Sequence, residues 1–248
     1  MEILNMETII KNETLGQIAA SDFRKALVLK KYNIDFCCGG KKTLKQVCRE
    51  KDLDISKIEE ELLQINENSS SAPLAFDEWS LDLLAEYIVN THHSYVRNNL
   101  PIIRNIGEKV MKVHGKSHPE LLNIYDLIEE ISIELNAHML KEERILFPYI
   151  KQLVEAMNYS DEYNSARFGG IQNPINIMEI EHELVGVKLA RIRELTNNYS
   201  LPDGACTSYN LLYNMVDDFE QDLHVHVHLE NNILFPKALE LESQLAIK

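Results

Sequence analysis

Two eleven-residue stretches of this chain carry the same pattern of metal-donor side chains. Residues 138–148 read His-Met-Leu-Lys-Glu-Glu-Arg-Ile-Leu-Phe-Pro, and residues 226–236 read His-Val-His-Leu-Glu-Asn-Asn-Ile-Leu-Phe-Pro. They agree at six places, including a proline that helix interiors disfavour, and they lie 226 − 138 = 88 residues apart. Agreement of this kind points to internal duplication. A duplicated unit should repeat its remaining donors at a similar offset, and His93 and His182 do so, at 182 − 93 = 89. Each half then supplies one lone histidine and, 45 or 44 residues later, a His-x-x-x-Glu pair.

Positions i and i+4 stand one turn apart on the same face of a helix. His138 with Glu142, and His226 with Glu230, can therefore point together into a helical bundle. Four imidazoles and two carboxylates buried on one level would be costly without compensating charge. Two cations supply it. Imidazole and carboxylate donors without thiolate suit iron, with manganese or zinc as alternatives. Six protein ligands for two metals leave coordination positions open to small molecules such as oxygen or nitric oxide. His92 competes with His93, and the repeat offset favours His93 by one position. His224 and His228 are two residues from His226 and so turn about 200° away from it. His114 and His118, beside Gly115, read as exposed loop histidines. Glu134, one turn before His138, and Glu181, next to His182, are candidates to support the ligands from outside or to line an access path, with plain solvated glutamates as the alternative.

These residues need long helices to carry them, and the composition provides for that. The 248 residues are 45% hydrophobic, with 9 Gly and 7 Pro, a balance that favours an all-α fold. A formal charge of −14 argues against binding nucleic acid or an anionic membrane surface. No apolar run approaches the roughly 20 residues of a membrane span, and Met1–Lys11 lacks the layout of a signal peptide. A cytoplasmic location is expected, with the four cysteines reduced. Capping boxes at Thr14/Gln17, Thr43/Gln46 and Ser56/Glu59 mark three helix starts in a module over 1–65. A polar linker over 66–76 follows. Four long helices are then expected within 77–248: from about Ser80 towards Val113, from Pro119 to about Met157, from after Pro174 to near Asn198, and from near Thr207 past Pro236. Pro148 and Pro236 should kink the helices that contain them. Short connections make this an up-down-up-down four-helix bundle.

Between the first helices of the module lies Asp35-Phe36-Cys37-Cys38-Gly39-Gly40, a turn by its glycines. Lys41, Lys42 and the helix beginning at Thr43 would lower a nearby thiol's pKa, which makes Cys37 and Cys38 candidates for thiol chemistry or iron transfer. The plainer alternative is a pair of small buried residues. Cys48, inside a helix, and Cys206, at a helix entry, read as structural.

A Glu-x-x-His pair is present at Glu179 and His182, but Asn90 stands at the matching place before His93, so the pattern departs from ferritin-type sites and leans towards hemerythrin. The chain resembles the repair-of-iron-centres di-iron proteins over nearly its whole length. The resemblance rests on the Cys-Cys-Gly-Gly module with Lys42 and Thr43-Leu44, on Glu179-x-Glu181-His182, and on both Leu-Phe-Pro segments. It implies a hemerythrin-like bundle whose two iron ions are held by His93, His138, Glu142, His182, His226 and Glu230. Both glutamates would bridge the irons, with an oxo bridge when oxidised. It further implies repair of iron–sulfur clusters damaged by nitric oxide or oxidants, with damaged iron–sulfur proteins as partners and iron supply as the means. A gas binder or sensor, and an enzyme reducing nitric oxide with a partner reductase, are the competing functions. The linker would permit a homodimer.

Overall fold

The computed structural model describes residues 12–22, 24–67, 75–159 and 169–247. Among these, every named element is helical. The N-terminal module has four short helices: α1 (Leu15–Ser21), α2 (Arg24–Lys31), α3 (Leu44–Glu50) and α4 (Ile55–Glu67). Thr14 and Thr43 each close a reciprocal capping box with Gln17 and Gln46. The expected single helix after Thr14 is divided in two. Asp22 ends α1 in an extended conformation and starts α2 by accepting from the Arg24 and Lys25 amides. The last module helix also starts before Ser56. Asp54 accepts the Ser56 amide at 3.0 Å and caps α4 two residues earlier. Leu15, Ile18, Leu29, Leu44, Ile58 and Leu62 make a small core of their own. The helix α4 runs on to Glu67, into the start of the expected linker, while residues 68–74 lie outside the described residues.

The bundle follows. Its first arm is α5 (Leu81–Ile88), a π-turn (Val89–His93) and α6 (Ser94–His114). The second is α7 (Glu120–Lys141), a π-turn (Glu142–Leu146) and α8 (Phe147–Tyr159). The third is the unbroken α9 (Gln172–Leu195), and the fourth is α10 (Thr207–Leu229), a π-turn (Glu230–Leu234) and α11 (Phe235–Ile247). Helix α6 packs on α7 and α10, α7 on α9, and α8 on α11, so the first arm lies against the second and fourth and the second arm against the third. Phe76, placed by sequence at the end of the linker, is buried in the bundle core beside Leu84 and Ile88. Two apolar clusters fill the bundle: one around Ile103, Ile128, Leu189 and Val216, the other around Leu84, Phe147, Ile175 and Phe235. The buried polar level lies between them.

Pro148 and Pro236 act differently from a simple kink. Proline lacks an amide hydrogen and its ring crowds the carbonyl four residues back. The turn before each proline widens instead: the Phe147 amide donates to the Glu142 carbonyl, and the Phe235 amide to the Glu230 carbonyl, five residues back in both cases. The extra residue shifts the helical register by about 100° locally. Both widened turns begin at the glutamate of a His-x-x-x-Glu pair.

Candidate metal centre

The six donors read from the sequence converge. His93, Glu142, His226 and Glu230 form one group with all donor atoms within 4.8 Å of one another, and His138, Glu142, His182 and Glu230 form a second. The two groups share both glutamates. All six residues are buried, with none more than 4% exposed. Glu142 sends Oε2 towards His93 Nε2 (3.3 Å) and Oε1 towards His138 Nε2 (3.2 Å). Glu230 sends Oε1 towards His226 Nε2 (3.1 Å) and Oε2 towards His182 Nε2 (3.1 Å). Each carboxylate thus spans both groups, and every imidazole presents Nε2 inward. Both oxygens of Glu142, Oε2 of Glu230 and Nε2 of His93 are buried without an aligned hydrogen bond. Lone pairs of imidazoles and carboxylates aimed at common points, without hydrogen bonds to satisfy them, suit a pair of cations.

The electrostatics agree. Burial and the nearby Glu230 push the Glu142 carboxyl up, but His138 and His93 outweigh them and hold it below the usual range. Burial likewise raises Glu230, and His226 and His182 bring it well below its ordinary value. Both carboxylates are therefore ionised at neutral pH. His138 shows the converse: burial opposes its charge, yet Glu142 and Glu181 raise it to about 10. For His226 burial wins and the pKa falls.

The outer ring nitrogens of three of the four histidines are held by a surrounding layer, while His226 Nδ1 is buried without a hydrogen bond. His93 Nδ1 meets Glu143 Oε1 at 2.6 Å, His138 Nδ1 meets Glu181 Oε2 at 2.8 Å, and His182 Nδ1 meets Asn231 Oδ1 at 2.9 Å. Such contacts fix the ring orientation and keep Nε2 available for a metal. Glu181 is a residue singled out from sequence, and its hydrogen bond with His138 holds its own pKa at about 2. Glu134 has no such position: it pairs with Lys188 at 2.5 Å and its side chain is 42% exposed. Glu143 and Asn231 were not anticipated. Each directly follows a candidate glutamate, at positions 143 and 231 of the duplicated stretch. That shared place was the available signal.

The other histidines divide clearly. His92 is buried but belongs to neither group; its Nδ1 lies 2.9 Å from Asp222 Oδ1 and its ring stacks on His226. His228 faces away from the donors as expected, yet it is fully buried, edge-on to Phe36 of the module. Burial lowers its pKa to about 4. His114 and His118 are half-buried and edge-on to the Tyr209 ring, rather than exposed in a loop. His114 Nε2 also lies 3.2 Å from the sulfur of Cys206, which is exposed.

Cys37 differs from expectation in its acidity. Asp35 accepts the amides of Cys37, Cys38 and Gly39 at 3.0–3.1 Å, so its carboxylate, and not a helix N-terminus, dominates the turn. A hydrogen bond with Cys38, burial and the Asp35 charge push the Cys37 thiol well above its ordinary value. It rests as a thiol. Asp35, Cys37 and Cys38 nonetheless bring three donor atoms within 4.8 Å of one another. They line a cleft of about 1580 Å³ between module and bundle, whose wall also includes His182, Glu179 and Asn231.

A helical bundle with buried, duplicated imidazole and carboxylate donors defines a hemerythrin-like cation-binding protein. The family model described as the hemerythrin HHE cation binding domain matches residues 84–238, and a domain of unknown function, DUF542, matches residues 11–66. Over nearly its whole length the chain is similar to proteins named iron-sulfur cluster repair protein YtfE. It is 36% identical to that of Dickeya chrysanthemi and 34% identical to that of Yersinia pestis, each over 94% of this chain and 99% of theirs. The chain belongs to this family of iron–sulfur cluster repair proteins with a hemerythrin domain. No helix among the described residues is long and apolar enough to cross a membrane.

Proposed function

We propose that the chain holds two iron ions, bridged by Glu142 and Glu230, and supplies iron for the repair of iron–sulfur clusters damaged by nitric oxide or oxidants. The observation that carries this reading is the pair of donor groups that share both glutamates. One ion would be held by His93 and His226, the other by His138 and His182. When bound, the iron pair supplies exchangeable ferrous ions and redox capacity. The remaining functions belong to the chain. Glu143, Glu181 and Asn231 orient the imidazoles. Leu146, Phe147, Leu234 and Phe235 pack beside the buried polar level, where they exclude water and strengthen its electrostatics. Two imidazoles and two carboxylate oxygens would hold each ion, a donor set that would leave positions open for a small gas or an acceptor's ligand.

The relatives' name, iron-sulfur cluster repair protein, supports iron–sulfur proteins as the partners. The cleft supports the cysteine loop as the place of hand-off, because it brings Cys37 and Cys38 to the same space as His182. A metal arriving there displaces the thiol protons as it binds. A cytoplasmic protein meeting such partners under nitrosative stress fits this reading.

The decisive experiment is metal analysis after oxygen-free purification, followed by incubation with an apo iron–sulfur protein. About two irons per chain, matching the two four-donor groups, with recovery of the acceptor's cluster would support the proposal. Tight iron that never leaves, combined with reversible binding of oxygen or nitric oxide, would replace it with the gas-binding reading.

A further inference from the structure

The two copies of the duplicated stretch are equivalent up to a point and then diverge. Glu142 and Glu230 occupy the same place, and the next residues, Glu143 and Asn231, both bond the outer nitrogen of a candidate ligand histidine. One residue further, Arg144 is exposed while Asn232 turns into the N-terminal module. Its Nδ2 donates to the Phe36 carbonyl at 3.1 Å and the Cys37 carbonyl at 3.2 Å, and it lies 3.1 Å from His228 Nδ1. Two module glycines enclose the same carboxamide. A methyl group at Gly16 or at Gly40 would overlap the Asn232 side chain. The Gly16 amide donates to the Gly40 carbonyl at 3.0 Å, closing the cradle. Helix α1 packs against the π-turn that contains Asn232.

We infer that Asn232 is a positioning residue that couples the cysteine loop to the metal-holding turn, so that module docking sets how firmly the metal pair is retained. The inference deepens the iron-supply reading and rests on it. Three consecutive residues divide the work. Glu230 reaches His182 and His226, Asn231 orients His182, and Asn232 grips the backbone of Phe36 and Cys37. The turn is a π-turn, whose Glu230 carbonyl is already committed to the Phe235 amide. A shift of the cysteine loop pulls on Asn232, and the adjoining residues cannot move without disturbing His182. The half of the bundle without a module has only a solvated arginine at this place. That is the expected difference if Asn232 serves the module and not the bundle itself.

The test uses the full chain loaded with ferrous iron under anaerobic conditions, with iron loss to a chromogenic ferrous chelator followed over time. Asn232→Ala and Gly40→Ala should each release iron about ten- to a hundredfold faster, the scale at which lost outer contacts weaken metal sites. The double variant should be no faster than the faster single one. Arg144→Ala, at the matching place in the other half, should release at the wild-type rate. Folded Asn232→Ala and Gly40→Ala proteins with wild-type release rates would overturn the coupling, even if both melt at lower temperature. Should Asn232→Ala not fold, Gly40→Ala decides, since its change lies wholly in the module, and Asn232→Ser offers a milder replacement. A wild-type chain that takes up no iron would instead defeat the metal reading, a result distinct from unchanged release by the variants.

Discussion

Glu142 and Glu230 each face two imidazoles through different oxygens, so each is expected to matter to both ions at once. Replacing either by alanine should cut iron from about two per chain to one or none, measured by elemental analysis of the folded variant. His92 and His93 provide a sharper comparison, because both are buried and adjacent in sequence. His93→Gln should lose iron, whereas His92→Gln should retain it, since His92 bonds Asp222 and offers no donor atom to either group. Protonation is the third consequence at this scale. In the metal-free protein His138 has a raised pKa of about 10, so it is charged at pH 7. Its contribution to metal-free stability is fully present below the unfolded value near 6.5 and is lost as pH rises through 10. A metal needs the neutral ring, so loading must expel that proton. Calorimetry in buffers of different ionisation enthalpy should detect proton release, and apparent affinity should rise with pH across the neutral range.

Among the elements, the π-turns decide what the donors face. Before Pro148 and Pro236 the wide turn is the local answer to a missing amide hydrogen and a crowding ring. The third, Val89–His93, contains no proline; its Ser94 amide reaches back to the Val89 carbonyl, and it ends at the buried His92 and His93. Deleting Ile145, which is 49% exposed, would remove the additional residue from the Glu142–Leu146 turn and let α7 run into α8 in regular register. The expected outcome is retained helicity by circular dichroism with loss of bound iron, because Glu142 would swing out of line. Iron content unchanged by the deletion would show that the widened turn is incidental to the site.

Over the whole molecule, stability is concentrated in apolar layers and not in surface charge. The Lys41–Glu179 pair joins the module to the bundle at 2.8 Å, but the lysine is 77% exposed. Lys41→Ala should therefore cost no more than about 1 kcal/mol. Leu29→Ala, in the module's own buried core, should cost about 2–5 kcal/mol. Denaturant titration separates the two. Equal costs would mean that docking electrostatics, and not the core, hold the module together.

Much of this was legible from order alone. The duplicated His-x-x-x-Glu spacing, the lone histidines at a near-equal offset and the threonine caps are local periodic signals, and covalent geometry turns such signals directly into helix faces and helix starts. The donor set needed nothing more. Which atoms surround those donors was beyond its reach. Glu143 and Asn231 rather than Glu134 support the imidazoles, Cys37 sits under the Asp35 charge rather than at an activating helix end, and Asn232 enters a cradle built by Gly16 and Gly40. Burial, charge environment and long-range contact depend on elements that lie tens to hundreds of residues away, and they take their values only when the helices have packed. The local rules placed the candidate donors on their helices; the packed bundle determined their partners, their protonation and their link to the cysteine loop.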